Sequence, residues 1–143
     1  MQTVANLAAD RGFLVFARFA VVAFFAVVFL QSALDKLLDS DGNLGFLREH
    51  FKSSPLPEEA VSPLFWLLTA LELAAGVLCG LGLVTFSFWS GGFLARWGLR
   101  MATLALLALL TGQRLAKDYA GAAVVAAYFA VAVLGLLCFA LGR

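Results

Sequence analysis

The chain has 143 residues, 63% of them hydrophobic and 13% charged, with a formal net charge of +1 and a mean hydropathy of +0.97. Such hydropathy excludes an ordinary water-soluble fold, and the length suits a single domain over residues 1–143. A charge this close to zero excludes nucleic acid or another strongly charged macromolecule as the main partner, and leaves the lipid bilayer as the first one.

Four apolar stretches, residues 12–34, 64–84, 93–110 and 119–141, are close to the ~20 residues that a helix needs to cross a hydrocarbon core. Their apolar character is nearly continuous and lacks the alternation of a barrel strand. The fold expected is an all-α integral membrane protein: an antiparallel bundle of four transmembrane helices, with spans near 12–38, 63–86, 92–113 and 118–141. A short amphipathic helix is expected at the interface between the first two.

The chain opens with a polar lead-in and Arg11, an interfacial anchor. The first span runs on past the length of a signal-peptide core, and no small-x-small cleavage pattern precedes Asp35 and Lys36, so it reads as a retained helix. Arg18 lies six residues after Gly12, about 9 Å along a helix. Two readings stay open for it: a guanidinium that snorkels back to the phosphates, or one turned inward toward an acid or a bound anion. Lys36 follows 18 residues later on the same face.

The run Asp39, Ser40, Asp41, Gly42, Asn43 stops this helix with turn formers. Phe46, Leu47 and Phe51 then alternate with Arg48, Glu49 and Lys52 at the spacing of a short helix lying on the membrane surface. His50, the single histidine, has no second histidine or cysteine near it, so a metal or haem site is not expected there. Pro55, Pro57 and Pro63 break the helix, with Pro63 in the first turn of the second span.

Glu72 is the acid of that span, and an acidic group inside hydrocarbon marks a functional site by default. Gly76 and Gly80 follow at four and eight residues, leaving two bare backbone patches for a neighbouring helix on the same stripe. A short link with Trp89 at the interface and a glycine pair joins the second span to the third, making them antiparallel neighbours.

The third span carries Arg96 and Arg100 one turn apart. Counted by helix rise, Arg100 and Glu72 enter from the same side to depths that long side chains can bridge, and Arg18 enters to a similar depth. Glu72, Arg18, Arg96 and Arg100 are therefore expected to form an intramembrane charge cluster. It is open to two readings: an ion-pair staple that sets helix register, or a polar cavity for an anionic or hydrogen-bond-accepting ligand, such as a quinone carbonyl or a small oxyanion.

Before the last span, Gln113, Arg114, Lys117 and Asp118 crowd together and, with Lys36, make up an interfacial polar cluster that reads as a cap or as a gate over the bundle mouth. Arg114 and Asp118 pair at i,i+4 if the segment is helical. The last span offers Gly121, Ala122, Ala126 and Ala130 for close packing, and Arg143 ends the chain as an anchor. Cys79 and Cys138 fall inside spans and read as packing thiols rather than a redox pair. Lys and Arg divide five against five between the two sides, so loop charge does not orient the chain. The mixed charge of the first connection favours both termini in the cytoplasm.

The early arginine of the first span, SALDKLLDSDGNLGFLREHF after it, ALELAAGVLCGLG in the second span and TGQRLAKDYAGAA before the fourth together resemble the DoxX superfamily, with its DoxD and MauE-like relatives. Arg18, Lys36, Glu72, Gly76, Gln113, Lys117, Asp118 and Gly121 match its recurring polar and glycine positions. The resemblance implies a small four-helix protein of the bacterial cytoplasmic membrane, associated with redox processes such as quinone-linked thiosulfate oxidation. MauE-like members carry a cysteine-containing segment near the third span where this chain has TGQRLAKDYAG, so thiol relay chemistry is not carried over.

The expected function is an accessory or quinone-interacting subunit of a respiratory or redox membrane assembly, non-catalytic by itself, with no intrinsic cofactor and a quinone as its ligand. Its partners would be a larger redox complex or further copies of itself. The alternatives are a stand-alone quinone-linked oxidoreductase of the thiosulfate type and a small anion or proton transporter.

Overall fold

A computed structural model describes the backbone of residues 2–86 and 92–141 and the side chains of residues 11–85 and 92–141. Trp89 and Arg143, expected as interfacial anchors, lie outside the described residues. Five helices follow one another: α1 (Gln2–Leu38), α2 (Ser40–Phe51), α3 (Glu58–Phe86), α4 (Phe93–Leu115) and α5 (Tyr119–Leu141). All but α2 are long and apolar enough to cross a membrane. The chain is thus an all-α four-helix membrane bundle, with the short amphipathic helix in its expected place.

The four long helices close into a square in which α3 packs against α1 and α4, and α5 against α4 and α1. Its surface is that of a protein solvated by lipid. Phe13, Phe16, Val27, Trp66 and Val84 face outward, while Ala75, Ala95, Ala102, Ala105 and Ala132 are fully buried beside Phe25, Phe29, Phe65 and Leu106. In lipid, helix association gains nothing from hiding apolar surface, so close van der Waals approach has to hold the bundle together.

Glycines mark where that approach is closest. A Cβ added to Gly82 would lie 2.7 Å from the backbone nitrogen of Ala95, and one on Gly98 would lie 2.7 Å from that of Cys79, so α3 and α4 meet backbone to backbone. Gly76 serves the same purpose against α1, where an added Cβ would come 2.7 Å from the backbone nitrogen of Leu30. Gly80, expected to act alike, meets only a Leu30 methyl at 3.9 Å, an ordinary contact. Both cysteines are free thiols, and Cys79 packs into the Gly98 crossing.

The breaks between helices are tighter than expected. Asp39 ends α1 and is also the N-cap of α2, its carboxylate accepting the Gly42 N–H at 3.1 Å, so the turn-forming run becomes a cap and a first turn. Helix α3 starts at Glu58, which places Pro63 in its second turn rather than its first. Between α4 and α5, the N–H of Asp118 donates to the Gln113 carbonyl at 2.9 Å, and that of Lys117 to the Arg114 carbonyl at 3.2 Å. This pair of bonds closes a helix with a left-handed residue after its cap, a place usually held by glycine. Here Lys117 holds it, at φ 60°. Lys117→Gly should therefore raise stability by about 1 kcal/mol, measured by thermal unfolding in detergent; an unchanged or lower melting temperature would contradict this account of the turn.

Candidate functional site

Glu72 lies midway along α3 and is completely buried. Its partner is Lys36 of α1, whose ammonium donates to Glu72 Oε2 at 2.5 Å and to the Ser32 hydroxyl at 2.9 Å. Ser32 in turn donates to the same carboxylate oxygen at 3.1 Å. The three groups form a closed triangle that ties the last turns of α1 to the middle of α3. Glu72 Oε1 is buried with no hydrogen-bond partner among the described residues. A charge pair in hydrocarbon is tolerable only when its members meet and are hydrogen-bonded, and here one carboxylate oxygen is fully served while the other is not.

The guanidinium cluster expected around Glu72 does not form. Arg18 instead donates from Nε to the Cys138 carbonyl at 3.0 Å and stands over the Phe139 ring. Arg100 is exposed and stacks on Trp97 at 4.7 Å. Helix rise had put Arg100 at a suitable depth, but rise says nothing of azimuth. Ala95, Gly98, Leu99, Ala102, Ala105 and Leu106 form the buried face of α4, and Arg96 and Arg100 fall beside that face. Arg18 and Lys36, 18 residues apart on α1, are separated by about 27 Å along the helix, so only one of them can reach Glu72. Lys36, expected in the interfacial cluster, is the one that does.

Helix α1 ends two residues beyond Lys36, which leaves the N-terminal half of α3 without α1 alongside. Helix α2 folds over this side, and beneath it lies a cavity of about 680 Å³ between α2, α3 and the second half of α4. Its walls are apolar, with Phe46, Phe51, Phe65, Leu68, Leu71 and Leu104 among them. Its polar residues come from α2, the end of α4 and the α4–α5 turn: His50, Thr111, Gln113 and Asp118.

The His50 ring stacks on Phe46 and meets Phe51 edge-on, and its Nε2 stands 3.9 Å from Asp118 Oδ2, longer than a hydrogen bond. Asp118 Oδ1 caps α5 by accepting the Gly121 N–H at 2.9 Å. An added Cβ at Gly121 would strike both the Asp118 carboxylate and the Gln113 amide, so this glycine is what lets the two side chains fold over the start of α5. Gln113 Oε1 is buried with no hydrogen-bond partner among the described residues.

The expected interfacial polar cluster therefore divides. Gln113 and Asp118 come together at the cavity. Arg114 turns to the Tyr119 ring at 4.8 Å, since the helix ends before an i,i+4 pair with Asp118 can form. Lys117 serves the turn, and Lys36 belongs to Glu72. Ser32, which the sequence does not single out, and His50, which it marks only as an improbable metal ligand, are prominent here. Ser32 could have been found from its i,i+4 spacing to Lys36, and His50 from its place one turn after Phe46 on the apolar side of α2. No family model matches the chain, and no curated protein or solved structure does either.

Proposed function

We propose that this multi-pass membrane protein holds a lipid-soluble molecule with a hydrogen-bonding head, of the quinone class, in the cavity beneath α2. It would do so as an accessory subunit of a DoxX-like redox assembly in a bacterial cytoplasmic membrane, with both termini in the cytoplasm. The observation that carries this reading is the cavity itself. Its volume of about 680 Å³ falls within the range of ~300–1,000 Å³ usual for small-molecule sites, and apolar walls with a few polar groups are the pattern of such sites. The Gln113 amide and the His50 imidazole can donate to a carbonyl oxygen, and a ring and isoprenoid tail suit the leucine and phenylalanine walls.

The positions behind the DoxX resemblance add support because they fall into structural groups. Lys36 meets Glu72, with Gly76 one turn away against α1; Gln113, Asp118 and Gly121 form one unit at the cavity end, and Lys117 shapes the turn between them.

The test is purification from native membranes in mild detergent, followed by solvent extraction and mass spectrometry of what remains bound. Wild-type protein should retain quinone and bring a stoichiometric oxidoreductase partner with it. Ala108→Trp, which places an indole among the cavity's lining residues, should lower bound quinone at least ~10-fold, equivalent to ~1.4 kcal/mol of binding. Quinone absent from the wild type, or undiminished in the variant, would refute the assignment.

A further inference from the structure

The arginines that do not reach Glu72 gather elsewhere. Arg96 and Arg100, with Leu136, Phe139 and Ala140, line a cleft of about 350 Å³ between α4 and α5. Arg18 arrives at the same place from α1, held by the Cys138 carbonyl and lying 5.2 Å from the centroid of Phe139, one of the cleft walls. Guanidinium groups from α1 and α4 thus stand around the last turns of α5.

Among the described residues their charge is uncompensated: none of the three makes a salt bridge, the ion pairs belong to Lys36 and Lys52, and His50 stands 3.9 Å from Asp118. Every described acid other than Glu72 lies between Asp35 and Glu59 or at Asp118, at the other end of the bundle. On this side the sequence has one acid, Asp10, which lies outside the described side chains, against Arg11, Arg18, Arg96, Arg100 and, beyond the described residues, Arg143. The tie in Lys and Arg between the two ends conceals this separation of charge, because the acids sit almost entirely on one side.

Depth and chemistry narrow the ligand. Arg96 and Arg100 are three and seven residues into α4, roughly 4.5 and 10 Å by helix rise. Arg96 thus sits within the headgroup layer, which adds ~5–8 Å to each side of the hydrocarbon core, and Arg100 one turn deeper lies just past it, within reach of the phosphates by its long side chain. A planar guanidinium fork matches the oxygens of a phosphate, and Trp97 holds that of Arg100 in place. The rest of the lining, Leu136, Phe139 and Ala140, offers an acyl chain a wall and a free inorganic ion nothing. We propose that this cleft binds a phosphate oxyanion, that of an anionic membrane lipid, with Arg96 and Arg100 on the headgroup and an acyl chain along Leu136 and Phe139.

The test uses the full chain, stripped of lipid in detergent and then offered an equal mixture of phosphatidylglycerol and phosphatidylcholine, with retained lipid counted by native mass spectrometry. Wild type should retain phosphatidylglycerol over phosphatidylcholine by at least about tenfold. Arg96→Gln with Arg100→Gln should bring the two to parity, while Arg114→Gln, at the opposite end, should leave the preference intact. Should the double glutamine variant lose helical circular dichroism, Arg96→Lys with Arg100→Lys takes its place: it keeps the charge, removes the fork and should show a reduced preference. A second arm measures thermal stabilisation of wild type by inorganic phosphate in lipid-free detergent. Stabilisation equal to that by phosphatidylglycerol, with displacement of the lipid, would overturn the lipid assignment in favour of a free oxyanion. Equal retention of both lipids by wild type, or a preference that survives both double variants, would overturn the site altogether.

Discussion

Replacing Lys36 with methionine should destabilise the protein by roughly 3–5 kcal/mol, the usual consequence of stranding one member of a buried ion pair. Without the ammonium, Glu72 keeps only the Ser32 hydroxyl, and its second oxygen already has no partner among the described residues. Glu72→Leu alone strands Lys36 less severely, because that side chain is 14% exposed and can turn toward the interface. Combining Lys36→Met with Glu72→Leu should restore most of the loss, since an apolar replacement of a buried pair is often neutral or stabilising. The measurement is a double-mutant cycle by thermal unfolding in detergent, in which the pair should show strong coupling. Lys36→Met melting with the wild type would rule out the ion pair, and additive effects in the cycle would show that the two side chains do not meet.

The second large effect concerns the α3–α4 crossing. Gly98→Ala places a methyl against the backbone nitrogen of Cys79 and the carbonyl carbon of Leu78, which cannot give way, and against the fully buried Cys79 sulfur. The two helices must separate to admit it, and overpacking of this kind typically costs ~1–3 kcal/mol; Gly98→Val should cost more. Gly76→Ala faces the Leu30 backbone and belongs with it. Gly80→Ala is the internal control: its methyl meets only ordinary contact, so the gain in helix propensity of up to ~1 kcal/mol over glycine should be felt. Unfolding of the four proteins in one detergent gives the ranking, and a Gly98→Ala variant as stable as Gly80→Ala would show that the backbones are not in contact.

These cases show what sequence could and could not reveal. The spans, the amphipathic α2 and the need for Glu72 to find a polar partner were all legible, because hydropathy and the cost of a buried carboxylate act through single residues and need no knowledge of neighbours. The partner of Glu72 was not. Arg100 had a suitable depth and Lys36 was assigned to the interfacial cluster, since the rise of a helix fixes height alone, while the face a side chain occupies depends on which helix packs where. Gly76 and Gly80 were equivalent by spacing, and only the crossing of α1 at Leu30 separates them; Gly82 and Gly98 went unnoticed for the same reason. His50 was weighed as a metal ligand and set aside, when its role depends on α2 docking beside the turn at Asp118.

The closeness of α3 and α4 has a bearing on traffic through the membrane protein. With glycine against backbone at two successive levels, these helices leave no room between them for a guest. The cover of the cavity, by contrast, is a twelve-residue helix with no fully buried side chain, strung between a one-residue break at Asp39 and a proline-bearing loop. A bulky hydrophobic molecule of the class proposed for the cavity would therefore come and go on the α2 side, where the lining residues Leu64, Leu67, Leu104 and Leu107 are exposed.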